Sequence, residues 1–352
     1  MKIVLKILLG IMALFLLVIF YIDLTSGQTT PIKDEEGNII PGSIFVLEKV
    51  ELGGMEQWIS IRGEDKANPV LIWLHGGPGS TQMPLAHHLD QKLEEEFVVV
   101  HWDQRGAGKS NPRNFDENTM NIEQFKSDGL ELIKYVLERL DKEKVYLLGH
   151  SWGTCLGIEL ADEYPEYIHT YIGVSQVVND RRAVQIAYDW AMERAIEEGH
   201  RDRIEFLQEE LGEPPYSHSE YRQLAQLVGD YGGNFDLEIW KIALITLRAP
   251  EYRVIDYFRL LSGMNRGGAP LHDDEMIHFS YIEEIPALEV PVFFMVGEKD
   301  YNTPAELVEK YYQNIEAPQK ELIIFENSAH TPFLKEPENF YRTIVGIKEK
   351  IF

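Results

Sequence analysis

The sequence has a single cysteine, Cys155, which excludes an intrachain disulfide framework and a cysteine-rich zinc site. Basic residues are scarce. The 33 Lys and Arg stand against 58 Asp and Glu, a formal net charge of −25. Binding to a phosphate backbone needs clustered cations that displace counterions, so nucleic acid is excluded as a partner. No H-E-x-x-H motif occurs, and neither His87-His88 nor the pair His272 and His278 comes with a third ligand, so no metal is expected. Internal repeats and low-complexity tracts are also missing. What remains is an ordinary globular composition, 44% hydrophobic and 26% charged, over 352 residues. That length suits one large domain or a domain carrying an insertion.

Residues 3–22 contain one charge, Lys6, and residues 7–22 contain none. Twenty helical residues rising about 1.5 Å each reach about 30 Å, the thickness of a bilayer's hydrocarbon core. Lys2 and Lys6 would also serve as the basic flank of a cleaved signal peptide. Against cleavage, the apolar run is long for such a peptide and no A-x-A site follows it, Thr25-Ser26-Gly27 being a poor substitute. A single transmembrane anchor over residues 1–24 is therefore expected, touching the lipid bilayer through residues 3–22 and followed by a tether at 25–37. The basic flank precedes the span and Asp23 follows it, which places the rest of the chain on the extracytoplasmic side of the cell membrane, or outside the cell if the segment is removed.

Downstream, residues 45–50 and 55–61 read as two strands joined at Gly53-Gly54, a hairpin signal. Short apolar runs follow at 70–74, 97–102, 145–148, 168–174, 292–296 and 322–325. Runs without alternation suit strands buried on both faces, as in a parallel sheet. Helical spacing lies between several of them, at 121–140 and 152–163, and residues 339–351 close the chain as a helix. Alternating strands and helices indicate an α/β fold. Its two core parts are expected at 38–178 and 286–352. Between them, residues 179–285 read as an insertion of acidic helices at 181–198, 202–211, 219–228, 237–247 and 252–260.

Chemistry concentrates in the core parts. Gly149-His150-Ser151-Trp152-Gly153 fits G-x-S-x-G directly between an apolar strand and a helix. A serine on that tight turn is held in a strained conformation, with small residues two before and two after it avoiding clashes. Serine needs a base. His330, in the loop after the last strand, is the histidine placed to serve. The acid that orients it should end an earlier strand, where Asp300 stands. Glu298 and Asp180 are the competing acids. Two backbone N–H donors are needed for an oxyanion. Trp152 supplies one, and Gly77, in the loop His75-Gly76-Gly77-Pro78-Gly79, is expected to supply the other. The loop lacks the glycine spacing and lysine of phosphate-binding turns. The turn Asp103-Gln104-Arg105-Gly106-Ala107-Gly108-Lys109-Ser110 is expected to flank the site, with Asp103 and Arg105 paired to each other or to neighbours. Cys155, one turn past Ser151, reads as a buried inert thiol.

With these motifs the sequence resembles the α/β-hydrolase superfamily and, within it, the proline iminopeptidase branch of serine peptidases. The resemblance spans roughly residues 45–352 apart from the insertion. It implies a mostly parallel eight-stranded sheet with helices on both faces and a helical cap at 179–285. It also implies release of an N-terminal residue, often proline, from short peptides or small-molecule substrates, with no cofactor. Enzymes of that branch commonly carry Gly before the nucleophile, where this chain has His150. They bind the substrate's amine through acidic cap residues near a Trp-Glu pair, for which this cap offers Asp189-Trp190 and the candidate Glu193. The expected protein is thus a membrane-anchored serine hydrolase using Ser151, His330 and Asp300. The alternatives are a carboxylesterase, lipase or amidase, and a non-catalytic binding protein on the same fold. Epoxide hydrolases and haloalkane dehalogenases need a carboxylate at position 151.

Overall fold

The computed structural model describes residues 2–214, 216–266 and 279–351. The apolar runs become strands β1 (Ile44–Leu52), β2 (Met55–Gly63), β3 (Val70–Leu74), β4 (Val98–Asp103), β5 (Val145–His150), β6 (Ile168–Val174), β7 (Val292–Gly297) and β8 (Lys320–Phe325). They form one sheet in the order β1-β2-β4-β3-β5-β6-β7-β8. β1 pairs antiparallel with β2, and β2 antiparallel with β4, while every pair from β4 to β8 is parallel. Two consecutive glycines at positive φ, Gly53 and Gly54, close the β1–β2 hairpin.

Side chains along a strand alternate between faces, and here both faces are covered. Val70, Ile72, Leu147, Phe294 and Val296 join the larger core layer. Their neighbours Leu71, Trp73, Leu148, Phe293 and Met295 join the layer on the other side. The longer helices are α1 (Lys2–Thr25), α2 (Ile122–Leu140), α3 (Trp152–Glu163), α4 (Asp180–Glu198), α5 (His218–Asp230), α6 (Ile239–Thr246), α7 (Val254–Arg266), α8 (Ala305–Asn314) and α9 (Pro337–Ile351). α2 starts where the Asn121 side chain accepts the Gln124 N–H, and it buries Phe125, Leu132, Ile133 and Val136 at helical spacing.

Between β6 and β7 the described residues are mostly helical and build a small core of their own, including Val184, Ala187, Leu207, Leu224 and Leu227. The helix read at 202–211 is not uniform. It runs as α-helix over Arg201–Glu205 and widens to a π-turn at Phe206–Leu211.

The segment read as a tether is fastened to the body. The N–H groups of Gly27 and Gln28 both point to the Pro250 carbonyl, Arg62 holds Thr29 and Thr30, and Ile32 is buried. Among the described residues no helix is long and apolar enough to cross a membrane. Several side chains of α1 lie outside those described, and the span read at 3–22 falls partly on them.

Candidate active site

Strand β5 delivers Ser151 into a sharp turn at φ 53° and ψ −122°, just before α3. That conformation is open only because its surroundings are bare. A Cβ on Gly149 would meet the Gly153 carbonyl oxygen at 2.3 Å, and a Cβ on Gly153 would meet the Leu74 carbonyl oxygen at 2.2 Å. The Ser151 N–H donates to the Val174 carbonyl at the end of β6, which locks the turn onto the sheet. Trp152 begins α3, so its amide has no acceptor further back in the helix. Gly77, Pro78, Ser151 and Trp152 line one pocket, so the two expected donors stand beside the expected nucleophile.

His330 lies between the cap and the core, and its backbone is held on both sides. Its N–H donates to the Asn234 carbonyl, and its own carbonyl accepts the Ser175 hydroxyl and approaches the His150 ring nitrogen Nε2 at 3.0 Å. Its Nδ1 lies 2.9 Å from Asp300 Oδ2. The acid in contact with His330 is therefore Asp300. Glu298 is exposed, and Asp180 stands elsewhere in the pocket. Asp300 also accepts the backbone N–H groups of Asn302 and Thr303 and the Thr303 hydroxyl. Burial pushes its carboxyl up, but the adjacent imidazole and the Thr303 donors outweigh burial and hold it below its ordinary value. Asn302 Nδ2 sits 3.2 Å from the other ring nitrogen of His330, and Asn302 Oδ1 accepts the Tyr221 hydroxyl.

A second tier supports this group. Burial holds His75 at about 4, so its ring is neutral at pH 7 and Nε2 accepts the Gln104 N–H, while Gln104 Oε1 accepts the Trp152 indole. Asp103 and Arg105 do not pair with each other. Arg105 makes a bidentate bond to buried Asp128, with both contacts at 2.9 Å. Asp103 accepts from Thr81, Tyr252 and the Lys109 amide, although burial still pushes its carboxyl up to about 6. Cys155 is buried, and burial pushes its thiol up.

The candidate amine contact Glu193 does not line the pocket beside Ser151. α4 buries Val184, Ala187, Tyr188, Ala191 and Ala195, and Glu193 falls on its opposite, exposed side. Thirteen residues, about 20 Å of helix, separate Glu193 from the end of α4 that reaches the pocket. At that end stands Asp180, which lines the pocket with Ser151, Ala183, His218 and Tyr221. Asp189 is also exposed, and Trp190 stacks on Tyr301 at 4.0 Å.

Sequence reasoning missed the cap's grip on the His330 loop. Both carboxylate oxygens of Asp236 are used, one accepting the Ala329 N–H and the other the N–H and hydroxyl of Thr331. Nothing local in the sequence marks Asp236, because its partners lie more than ninety positions away. Among the described residues no group of three or more His, Cys, Asp or Glu is placed to hold a metal.

The chain has relatives. The family model of the alpha/beta hydrolase fold matches residues 69–337. A Bacillus subtilis protein named probable aminopeptidase YbaC is 36% identical over 309 residues, 86% of this chain and 96% of that one. A proline iminopeptidase of Heyndrickxia coagulans is 24% identical over 289 residues, 79% of this chain and 89% of that one. In three dimensions, the crystal structure of a proline iminopeptidase of Mycobacterium smegmatis superposes with a TM-score of 0.62 at 20% identity. The match covers 87% of this chain and 98% of that one, and at this identity it speaks to the fold.

Proposed function

The chain belongs to the α/β-hydrolase family, in its proline iminopeptidase-like branch, and from that premise we propose that it is a serine aminopeptidase. The carrying observation is the contact of His330 Nδ1 with Asp300 in a loop that meets the Ser151 turn. In this reading Ser151 Oγ attacks the acyl carbon while His330 Nε2 takes its proton. Asp300 stabilises the imidazolium, and the Gly77 and Trp152 amides receive the oxyanion. His330 then returns the proton to the leaving amine, and water, deprotonated by the same ring, releases the acyl group from Ser151.

Asp180 is the carboxylate that would receive the substrate's ammonium, since it lines the same pocket as the nucleophile. The apolar lining of Val177, Val178 and Leu307 favours a second reading, an esterase for small acyl groups. The membrane anchor and extracytoplasmic placement belong to the same proposal and rest on residues 3–22, with one charge in twenty.

The test compares kcat/KM for proline β-naphthylamide with that for the N-acetylated compound, using Ser151→Ala as the blank. A preference of 100-fold or more for the free amine, lost through KM in Asp180→Asn, is expected. Cleavage of p-nitrophenyl esters with neither amide cleaved would make the protein an esterase.

A further inference from the structure

The described large apolar side chains that stand exposed fall almost entirely into two stretches, residues 7–24 and 235–264, with Ile39, Ile196 and Ile324 as the exceptions. The first stretch is α1. The second is the pair α6 and α7. On α6 and the Leu247 that caps it, the exposed residues Ile239, Trp240, Leu244 and Leu247 recur at helical spacing on one face, and the helix buries no residue. On α7, Ile255, Phe258 and Leu261 form an outward stripe, and Phe258 is 66% exposed. A surface helix ordinarily turns such a stripe toward the core. The inner side of α7 packs Tyr257 and Leu260 against Met83, Ala249 and Tyr252 and also carries polar contacts, so the outward stripe is a second apolar face. Asp256 pairs with buried Lys109 at 2.7 Å, and Gly263 packs so tightly on the glycine-rich loop that a Cβ on Gly79 would meet its carbonyl oxygen at 2.5 Å. An apolar surface of this extent on a soluble face marks a partner or a membrane.

The position of the patch selects the occupant. The C-terminal end of α1 is fastened to the short connection between α6 and α7. Asp23 takes both the Arg253 guanidinium and the Val254 N–H, and Pro250 accepts from Gly27 and Gln28. The α6 stripe therefore ends, at Leu247, and the α7 stripe begins, at Ile255, within a few residues of the point where the apolar helix leaves the body. Trp240, an indole 59% exposed at the start of α6, has the amphipathic character that suits a headgroup boundary.

We propose that the outward faces of α6 and α7 lie in the interface of a phospholipid bilayer, beside the outer end of α1. This rests on the anchor reading above. The chain as a whole carries −25. The stretch 239–264 carries Lys241, Arg248, Arg253 and Arg259 with its acids Glu251 and Asp256 buried, so at a zwitterionic interface the attraction is apolar burial. The site is then docked onto the membrane through the helix whose inner side packs on the Gly79 loop.

The test places the full chain in phosphatidylcholine nanodiscs with a nitroxide on one introduced cysteine at a time, at Leu14, Leu244, Phe258 or Asp202. The native Cys155 thiol is buried and stays unlabelled. Collision with lipid-soluble oxygen is compared with collision with a water-soluble nickel chelate. At Leu244→Cys and Phe258→Cys oxygen is expected to win several-fold, as at Leu14→Cys, with the order reversed at Asp202→Cys. Lipid contact at Leu14 with nickel access at Leu244 and Phe258 overturns the docking alone, and nickel access at Leu14 as well overturns the anchor with it. Shielding of Leu244 and Phe258 from both reagents means that protein covers the patch, a second copy included, and also overturns the proposal.

Discussion

The sheet and the α6–α7 pair use the same kind of residue in opposite ways. In β7, Phe293 and Phe294 are fully buried and pack into the two core layers. In α7, Phe258 stands two-thirds exposed while the buried side of the helix carries Asp256. Periodicity announces both elements equally well, yet it gives no sign of which side of an apolar stripe meets protein. A strand between two covered faces has no choice of environment. A cap helix has one, and in α7 the Asp256–Lys109 pair, the packing of Tyr257 and Leu260, and the close approach of Gly263 to Gly79 hold one side inward.

That contrast is open to direct attack. The largest effect belongs to the chemistry the sheet supports. Ser151→Ala is expected to lower kcat by 10⁴-fold or more, on the order of the losses seen when other triads lose a member, with the far-UV circular dichroism unchanged. Next come the two phenylalanines. Phe294→Ala should cost about 3–5 kcal/mol in urea unfolding, because a buried ring leaves a cavity. Phe258→Ser should stay within about 0.5 kcal/mol, as for other surface changes. Equal costs would mean that Phe258 is packed and that the contrast is false.

Asp236→Ala tests a contact by which the cap holds the His330 loop. Releasing the Ala329 and Thr331 amides should let the His330 loop drift, lowering kcat by about 10²-fold with KM little changed. A change in KM alone would make Asp236 a substrate contact instead.

The smallest effect is in pH dependence. His150 is buried against the His330 and Phe333 rings, and burial, reinforced by neighbouring His330, lowers its pKa from 6.5 to about 3. The unfolded chain binds a proton there below pH 6.5 and the folded chain does not until about pH 3. Stability is therefore lost as pH falls through that window. In His150→Asn the fall in unfolding free energy between pH 6.5 and 4 should be shallower than in the parent chain, and an unchanged slope would show that other groups set it.

Much of this was readable beforehand for identifiable reasons. The strands announced themselves because both of their faces are apolar, and Ser151 because a nucleophile turn needs Gly149 and Gly153 within five residues. His330 and Asp300 could be named from where they fall after strands. Their supports could not. Asn234, Asp236 and Ser175 reach the His330 loop from 93 to 155 positions away, and no spacing rule covers such distances. The same holds for Arg105, whose partner Asp128 lies in a helix 23 residues on.

The amino-acid order by itself determined the elements, the strained turn at Ser151 and the apolar character of residues 3–22, since each depends on neighbours within a few positions. Only the folded chain decided that Asp300 meets His330, that Asp180 and not Glu193 reaches the pocket, and that α6 and α7 turn their apolar stripes outward. Those outcomes depend on which distant surfaces come to lie against each other, and that is a property of packing.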